Sequence, residues 1–336
     1  MAVLGLGFMG STHLQALRRI AGARLAAVFD FDEARLSGDL SSVQGNIGGA
    51  GGKLDFSSVG RYRDLEPLLA DPQVDAVDIC LPTHHHADVA TRALRAGKHV
   101  LVEKPMALDG ASADRMADEA DRSKRILMTA HVLRFWPAYA ALRDAVRQGK
   151  LGAARCATLR RRCAAPGWGG WLLDPAKSGG GAFDLLIHDV DMALHVFGKP
   201  EAVAATGSVD ESAGIDCLNA QLYYPDGCVV SILGGWHNRG KFPFSMEYTV
   251  TFDGGTIDFS SAGRAATLFA ADGTERVLAA ADADAYAAEL DYFIACCRDG
   301  RSPEACPPRE SADAVKLMLR ILEARSRRGE KIPCRI

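Results

Sequence analysis

A glycine pattern within the first ten residues constrains the fold of this chain more than any other feature. Gly5, Gly7 and Gly10 form G-x-G-x-x-G, with Phe8 and Met9 between the last two, directly after an apolar run and before a helical periodicity. In such a turn the first glycine permits a tight bend, the second lets the backbone approach a pyrophosphate, and the third allows the helix to pack closely on the strand. The pattern predicts a strand, a turn and a helix whose N-terminus faces a dinucleotide phosphate.

An acidic residue follows at the distance that a dinucleotide site requires. Asp30 ends the next apolar run, twenty residues after Gly10. Its carboxylate can accept hydrogen bonds from both adenosine ribose hydroxyls and repels a 2′-phosphate. Neither position 31 nor position 32 is an arginine. We therefore predict NAD as the cofactor, with NADP less favoured.

The apolar periodicity divides the chain into two parts. Apolar runs alternate with amphipathic stretches up to about residue 132, which predicts parallel strands joined by crossover helices. Several strand-like runs then follow one another, with turn signals between them, and they predict a mostly antiparallel sheet. We expect an α/β chain with an N-terminal Rossmann dinucleotide-binding domain, residues 1–125, and a C-terminal α+β domain, residues 126–336, built on a large, mostly antiparallel open sheet.

The predicted elements are spaced as βαβ units in the first part and as a meander with flanking helices in the second. Predicted strands of the first part cover 2–6, 25–30, 74–81, 98–103 and 126–132. Predicted helices of the first part lie near 10–20, 63–70, 86–96 and 109–124. Predicted strands of the second part cover 153–162, 201–209, 216–224, 227–235, 246–252, 255–259 and 265–270, with helices near 181–197, 284–299 and 309–328.

Length and charge exclude some classes of partner. A chain of 336 residues is long enough for about two domains. The formal net charge of -3 provides no general positive field for nucleic acid, so we expect none to bind. No apolar run reaches the ~18 residues that a membrane-spanning helix needs, and the N-terminus lacks a basic segment followed by an apolar one. We expect a cytoplasmic protein without a membrane partner.

Two further segments carry side chains suited to chemistry. One runs from Leu81 to His86 and contains Pro82, Thr83 and three consecutive histidines, and the other ends an apolar run with Glu-Lys-Pro at 103–105. Consecutive histidines cannot all turn the same way, and no carboxylate or thiolate pairs with them at ligand spacing. We predict no metal site.

With the glycine pattern, these segments resemble the Gfo/Idh/MocA family, which includes glucose–fructose oxidoreductase and inositol dehydrogenase, over nearly the whole chain. The resemblance implies that Glu103 and Lys104 lie at the cofactor, with Lys104 beside the nicotinamide and the reacting carbon. It also implies that Leu81, Pro82 and Thr83 line the dinucleotide, while His86 lies near the nicotinamide ribose. A cationic lysine is suited to stabilising a developing alkoxide.

A third segment starts with three glycines at 179–181 and continues as a predicted helix. At ~100° per residue, Asp184, His188, Asp191 and His195 fall within one narrow stripe. Such a stripe is either a solvated face or a functional one. The resemblance favours function, because Asp184 and His188 match the two reactive positions of the family's G-G-G…D-x-x-x-H segment, which faces nicotinamide and substrate. A carboxylate four residues before a histidine can orient the imidazole, which can remove an alcohol proton.

Three weaker features accompany these segments. His131 and Arg134 lie in a segment that resembles the family's link between its two domains, where polar side chains reach the substrate. Trp168 and Trp171 precede the predicted helix and either stack on a sugar face or simply pack. Arg161 stands between two other arginines on a predicted strand, and we interpret all three as solvated surface.

These features predict an NAD-dependent dehydrogenase that acts on a secondary alcohol of a sugar, sugar derivative or cyclitol, with a small polyhydroxylated molecule as its substrate. Two alternatives remain. The same fold can retain NAD and oxidise transiently to drive elimination or glycoside cleavage, or it can act as a non-catalytic NAD-sensing regulator. The resemblance also implies a homodimer or homotetramer that associates through the sheet of the second domain.

Overall fold

The chain divides into two compact units in a computed structural model, which describes residues 1–45, 52–167, 169–210, 215–238, 240–278 and 283–336. One unit comprises Met1–Val132 with Asp284–Ala312, and the other comprises Leu133–Ala283 with Asp313–Ile336. The first unit therefore continues past residue 125 and includes a segment from late in the chain. The boundaries of independently folding domains, 1–125 and 126–336, stay a prediction.

The first unit is built on a six-stranded parallel sheet. Its strands are β1 (Ala2–Leu4), β2 (Ala27–Phe29), β3 (Gly60–Tyr62), β4 (Ala76–Ile79), β5 (His99–Glu103) and β6 (Leu127–Ala130). They lie in the order β3-β2-β1-β4-β5-β6, which is that of the Rossmann fold. The predicted fold class of the N-terminal part is confirmed. No strand is predicted at β3 from the sequence, because its three residues include a glycine and an exposed arginine and form no apolar run.

Helices of the first unit follow the strands, as crossover connections require. They are α1 (Phe8–Leu17), α2 (Glu33–Leu36), α3 (Leu65–Ala70), α4 (His86–Arg95) and α5 (Gly110–Ser123). Another helix of this unit, α9 (Ala285–Asp299), comes from the late segment and packs against α1. The dinucleotide helix is thus covered by residues that lie about 280 positions further along the chain.

The second unit is built on a nine-stranded sheet. Its strands are β7 (Ala154–Ala164), β8 (Ala202–Asp210), β9 (Ile215–Tyr223), β10 (Val229–Asn238), β11 (Ser245–Phe252), β12 (Gly255–Ser260), β13 (Arg264–Ala270), β14 (Glu275–Val277) and β15 (Ile332–Pro333). Their order is β14-β13-β12-β11-β7-β10-β9-β8-β15. β7 and β10 pair in parallel, and the other recorded pairs of this sheet are antiparallel. The predicted large, mostly antiparallel sheet is confirmed.

Four further helices accompany this sheet: α6 (Pro137–Gln148), α7 (Pro175–Ser178), α8 (Gly180–Phe197) and α10 (Pro308–Ser326), whose first residues are counted with the first unit. α8 packs across β7, β9 and β10, which places the glycine-initiated helix on the centre of the sheet. Among the described residues, no helix has both the length and the apolar composition needed to span a bilayer.

Candidate active site

The glycine turn between β1 and α1 has three differently constrained glycines. Gly5 has a φ of +90°, and a Cβ there would lie 2.7 Å from the carbonyl oxygen of Cys80. A Cβ on Gly10 would lie 1.9 Å from the carbonyl oxygen of Gly5. Around Gly7, by contrast, a Cβ would meet no heavy atom of the described residues within 4 Å. The open space beside Gly7 at the helix N-terminus fits the approach of a pyrophosphate.

Asp30 lies just after β2 and contacts the same turn. Its Oδ2 accepts the backbone N–H of Leu6 at 2.7 Å, and its Oδ1 accepts the N–H of Asp32 at 2.9 Å. The carboxylate therefore fixes the glycine turn, and its predicted contact with a ribose stays a prediction. Nη1 of Arg35, on α2, lies 3.6 Å from Asp30 Oδ2. Sequence reasoning missed this arginine because it considered only the two positions that follow Asp30, whereas the first turn of α2 brings position 35 back to the strand end.

The segment after β4 contains a buried hydroxyl. Thr83 is 2% exposed, and its Oγ1 has no hydrogen-bond partner among the described residues. Leu81 and Pro82 beside it are half-buried. A buried polar group without a partner costs free energy unless a water or a ligand satisfies it. The hydroxyl thus fits the predicted position of Thr83 along a bound dinucleotide.

His86 is buried and links two strand ends. Its Nδ1 lies 2.8 Å from the carbonyl oxygen of Pro105, and its Nε2 lies 2.8 Å from the carbonyl oxygen of Leu81. Burial lowers the pKa of His86, while the two carbonyl acceptors oppose that shift. Both ring nitrogens thus face the backbone, and the predicted contact with the nicotinamide ribose stays a prediction. The two preceding histidines, at 84 and 85, are exposed.

The end of β5 presents a carboxylate and a lysine side by side. Glu103 is 6% exposed, and its Oε2 accepts the backbone N–H of Lys104 at 2.9 Å. Burial would raise the pKa of Glu103, but His13 and the Lys104 ammonium together hold it below its usual value. Lys104 itself is half-buried. The strand end therefore carries an ionised carboxylate that restrains the backbone of the predicted catalytic lysine.

In the second unit, α8 displays a narrow line of partly accessible polar groups. Fourteen of its 18 residues are buried, and the remaining four are Asp184, His188, His195 and Phe197. The first three belong to the stripe predicted from the sequence, and they are half-buried rather than open. A solvated helix face would expose its polar side chains more fully. For Asp184 and His188, near the start of the helix, this partial burial is typical of a site that a ligand can reach.

The remaining stripe residue, Asp191, is enclosed and paired. Arg134 donates to it from Nε at 2.9 Å and from Nη2 at 2.6 Å, and both side chains are buried. His131 is also buried, at 1% exposure. The substrate contacts predicted for Arg134 and His131 stay predictions, and the structure adds a bidentate ion pair that holds Arg134 against α8.

The expectation that Arg161 is solvated is wrong. Its side chain is 3% exposed, and its Nε donates to Asp189 Oδ2 at 2.7 Å. Strand alternation turns Arg161 toward the face on which α8 packs, and the Asp189 carboxylate offsets the cost of its desolvation. Burial opposes the guanidinium charge, but the carboxylate raises the pKa of Arg161 overall.

The start of α8 explains why three consecutive glycines precede the stripe. The first two have φ values of +81° and +80°, a region that favours glycine. A Cβ on Gly181 would lie 2.9 Å from the Trp236 ring. Asp216, on β9, accepts the N–H of Ala182 at 3.1 Å and is ion-paired with Arg325 of α10. Sequence reasoning missed Asp216 and Arg325, since nothing in their local pattern links them to α8.

Of the two predicted tryptophans, Trp171 is half-buried in the turn before α7. Trp168 lies outside the described residues. Their predicted contact with a sugar face stays a prediction.

A Rossmann sheet with a dinucleotide turn, in one chain with a large and mostly antiparallel sheet, defines a class of dinucleotide-dependent oxidoreductases. Residues 1–131 match the oxidoreductase family with an NAD-binding Rossmann fold, and residues 139–258 match the Gfo/Idh/MocA C-terminal domain. The chain belongs to the Gfo/Idh/MocA family. The predicted cofactor, NAD, agrees with this family description.

Individual relatives are similar over different shares of the chain. The myo-inositol 2-dehydrogenase of Thermotoga maritima is 35% identical over 64% of this chain and 60% of its own length. The D-apiose dehydrogenase of Paraburkholderia graminis is 29% identical over 90% of this chain and 81% of its own length. The crystal structure of a probable dehydrogenase from Thermotoga maritima is 27% identical, with a TM-score of 0.80, over 99% of this chain and 98% of that one. The chain spans 60%, 52% and 58% of the first three curated relatives that it matches.

Proposed function

We propose that this chain is an NAD-dependent dehydrogenase that transfers a hydride between nicotinamide and a secondary alcohol of a sugar, sugar derivative or cyclitol. The observation that carries the proposal is the half-buried line of Asp184 and His188 on a helix that is otherwise almost entirely buried. The names of the relatives, a myo-inositol dehydrogenase and an apiose dehydrogenase, support the substrate class.

The residues of the glycine turn, together with Asp30 and Thr83, would hold the cofactor. NAD, when bound, supplies the hydride acceptor. An imidazole nitrogen of His188, oriented by Asp184, takes the proton of the hydroxyl as the C–O bond becomes a carbonyl. The Lys104 ammonium stabilises the negative charge that develops on that oxygen. Reduction of a ketone uses the same groups in reverse.

The first test is a screen of cyclitols, aldoses and sugar derivatives for NADH formation with the purified protein. We expect free NADH to accumulate with at least one secondary alcohol. Turnover of a glycoside without net NADH would instead support the alternative with retained NAD. Failure of the entire panel to reduce NAD, while NAD binds, would overturn the proposal in favour of a sensor.

Two substitutions test the assigned roles once a substrate is known. His188→Ala should lower the single-turnover rate by roughly 10²–10⁴-fold, the usual loss for a missing general base. Lys104→Met keeps a similar side-chain length without the charge and should cost several kcal/mol of the barrier, roughly 10²–10³-fold in rate. NAD affinity should change little in either variant.

A histidine of the same helix provides the matched control. His195→Ala removes an imidazole from the same stripe two turns further along α8 and should leave the rate within about threefold of wild type. If His188→Ala and Lys104→Met also react within about threefold of wild type, the assignment of both residues is wrong.

A further inference from the structure

A buried histidine on α1 lies outside the proposed mechanism. His13 is 0% exposed. Its Nδ1 lies 2.9 Å from Oδ2 of Asp78, on β4, and its Nε2 lies 3.3 Å from Oε1 of Glu103, at the end of β5. One imidazole ring therefore spans the carboxylates of two neighbouring strands beneath the dinucleotide helix.

The surroundings of this ring determine its charge. Burial would lower the pKa of His13, but the Asp78 carboxylate, with Cys80 next to it, raises that pKa well above the usual value. Glu103 is ionised for the reciprocal reason. The ring of Tyr286, on α9, lies at a centroid distance of 6.2 Å from that of His13. An imidazolium between two carboxylates is the stable arrangement, because a neutral ring would leave buried negative charge uncompensated.

The carboxylate of Glu103 connects His13 to Lys104 because it contacts both residues. Its Oε1 faces His13, while its Oε2 accepts the Lys104 backbone N–H at 2.9 Å. Rotation of the carboxylate would break both contacts together. A group that orients a reactive residue in this way is often needed for full activity although it never touches the substrate.

We propose that His13 is a positioning residue for the reaction. Asp78 anchors the His13 ring, the ring fixes the carboxylate of Glu103, and that carboxylate in turn fixes the backbone of Lys104 and places a negative charge beside it. The proposal rests on the proposed function only in assigning Lys104 to the reaction. It links the first turns of the dinucleotide helix to the strand end that carries the predicted catalytic lysine.

The same side chains include a grouping that resembles a metal site. Donor atoms of His13, Asp78 and Cys80 lie within 4.8 Å of one another. Burial raises the pKa of the Cys80 thiol far above its usual value, whereas a metal ligand must be a thiolate. The Nδ1–Oδ2 distance of 2.9 Å is that of a hydrogen bond. His13 and Asp78 are therefore arranged as a hydrogen-bonded pair, and stoichiometric zinc in the purified protein would overturn the proposal.

A double-mutant cycle tests the route through Glu103. The proteins are wild type, His13→Asn, Glu103→Gln and the double variant, compared by single-turnover hydride transfer at saturating NAD. His13→Asn should lower the rate by about 10–100-fold, and the double variant should be no slower than the slower single variant, because both changes interrupt one route. The proposal would be overturned if the rate loss of the double variant equalled the product of the two single losses. It would also be overturned if His13→Asn reacted within about threefold of the wild-type rate.

A conservative variant separates positioning from folding. The amide of His13→Gln reaches the place of Nε2, whereas that of His13→Asn reaches only the place of Nδ1. His13→Gln should therefore recover most of the rate lost in His13→Asn, while the NAD dissociation constant stays within about threefold in both. If rates follow the unfolding temperatures of the variants instead, His13 is structural only and the proposal is wrong.

A chemical measurement needs no substrate at all. If His13 fixes the backbone of Lys104 through Glu103, the surroundings of Lys104 should change in His13→Asn, and acetic anhydride should acylate Lys104 at a rate that differs at least about threefold from wild type, as read by peptide mass spectrometry. Exposed Lys124, in the same unit, is the internal control. Equal acylation of Lys104 in the two proteins would overturn the positioning role. A wild type that reduces NAD with no alcohol would overturn only the proposed function.

Discussion

At the scale of single residues, Asp30 combines an observed role in the fold with a predicted role in cofactor binding. It accepts the Leu6 N–H of the glycine turn, and Arg35 lies 3.6 Å away. A ribose would share that carboxylate, and a 2′-phosphate would meet both its repulsion and the attraction of the guanidinium. We therefore expect the preference between the two dinucleotides to depend on both opposed charges rather than on Asp30 alone.

This opposition leads to a prediction about cofactor affinity. Wild type should bind NAD more tightly than NADP. Arg35→Ala should widen that preference by roughly tenfold, because it removes the cation nearest to Asp30, and Asp30→Asn should narrow it by a similar factor. Titration of each protein with both dinucleotides measures the ratio of the two affinities.

The Asp30→Asn variant is chosen because asparagine keeps an oxygen for the Leu6 N–H, so the glycine turn is preserved. Tighter binding of NADP than NAD by wild type, or an unchanged ratio in Arg35→Ala, would contradict the prediction.

The placement of residues could be predicted where the partners are close in sequence or follow one periodicity. The glycines of the turn and Asp30 needed only linear spacing, and the stripe of Asp184 and His188 needed only the helical repeat. His13 and Asp78 are 65 positions apart, and no local pattern pairs them. The available signal was a histidine on the apolar face of a predicted helix and an aspartate within an apolar strand.

At the scale of secondary structure elements, the start of α8 depends on an ion pair made elsewhere. Asp216 is 5% exposed, accepts the Ala182 N–H and is paired with Arg325 of α10. Burial raises the pKa of Asp216, and the arginine opposes that shift. The position of the glycine-initiated helix is thus coupled to a helix near the end of the chain.

Loss of this pair should destabilise the protein in a pH-dependent way. Arg325→Gln should lower the free energy of unfolding by about 2–3 kcal/mol at neutral pH, because it leaves a buried carboxylate without its cation. Without arginine the folded-state pKa of Asp216 rises further above the unfolded value. The loss of stability in Arg325→Gln relative to wild type should therefore be small below pH ~4. It should grow as the pH rises through the folded-state pKa of Asp216. Urea unfolding at several pH values measures it.

A second arginine of α10 serves as the control for that measurement. Arg327 is 49% exposed and pairs with Glu323 and Glu330 on the surface. Arg327→Gln should change stability by no more than about 0.5 kcal/mol. Equal effects of the two substitutions would show that the Asp216 pair does not stabilise the start of α8.

Most elements could be predicted because their apolar repeat extends over several residues. Helix α8 and strands β7 to β13 correspond to runs that were predicted from the sequence. Helix α6 was missed because its buried face consists of Ala138, Tyr139 and Leu142, with alanine elsewhere, and gives a weak signal. Strands β14 and β15 have three and two residues, too short for any periodicity, and are defined by pairing with their neighbours.

At the scale of the whole molecule, we propose that the second sheet mediates self-association. Several residues that alternate with the buried ones of this sheet are exposed and polar: Thr158, Asn219, Gln221 and Thr249. Light scattering at micromolar concentration should give the mass of a dimer or tetramer. Thr158→Lys should reduce that mass by adding charge to the centre of the face. Thr274→Lys, in the turn before β14, is the control and should leave the measured mass unchanged. A monomeric wild type would refute the proposal.

The discontinuous first unit has a consequence for synthesis. Helix α9, which covers α1, belongs to a segment ending at Ala312, 180 residues after the first segment ends at Val132. At typical translation speeds that separation is an interval on the order of 10–40 s, during which strands β7 to β14 of the second sheet are made. During that interval α9 does not yet exist to cover the dinucleotide helix of the nascent Rossmann sheet. The face of α1 that α9 contacts is then open to chaperones or to aggregation on the ribosome.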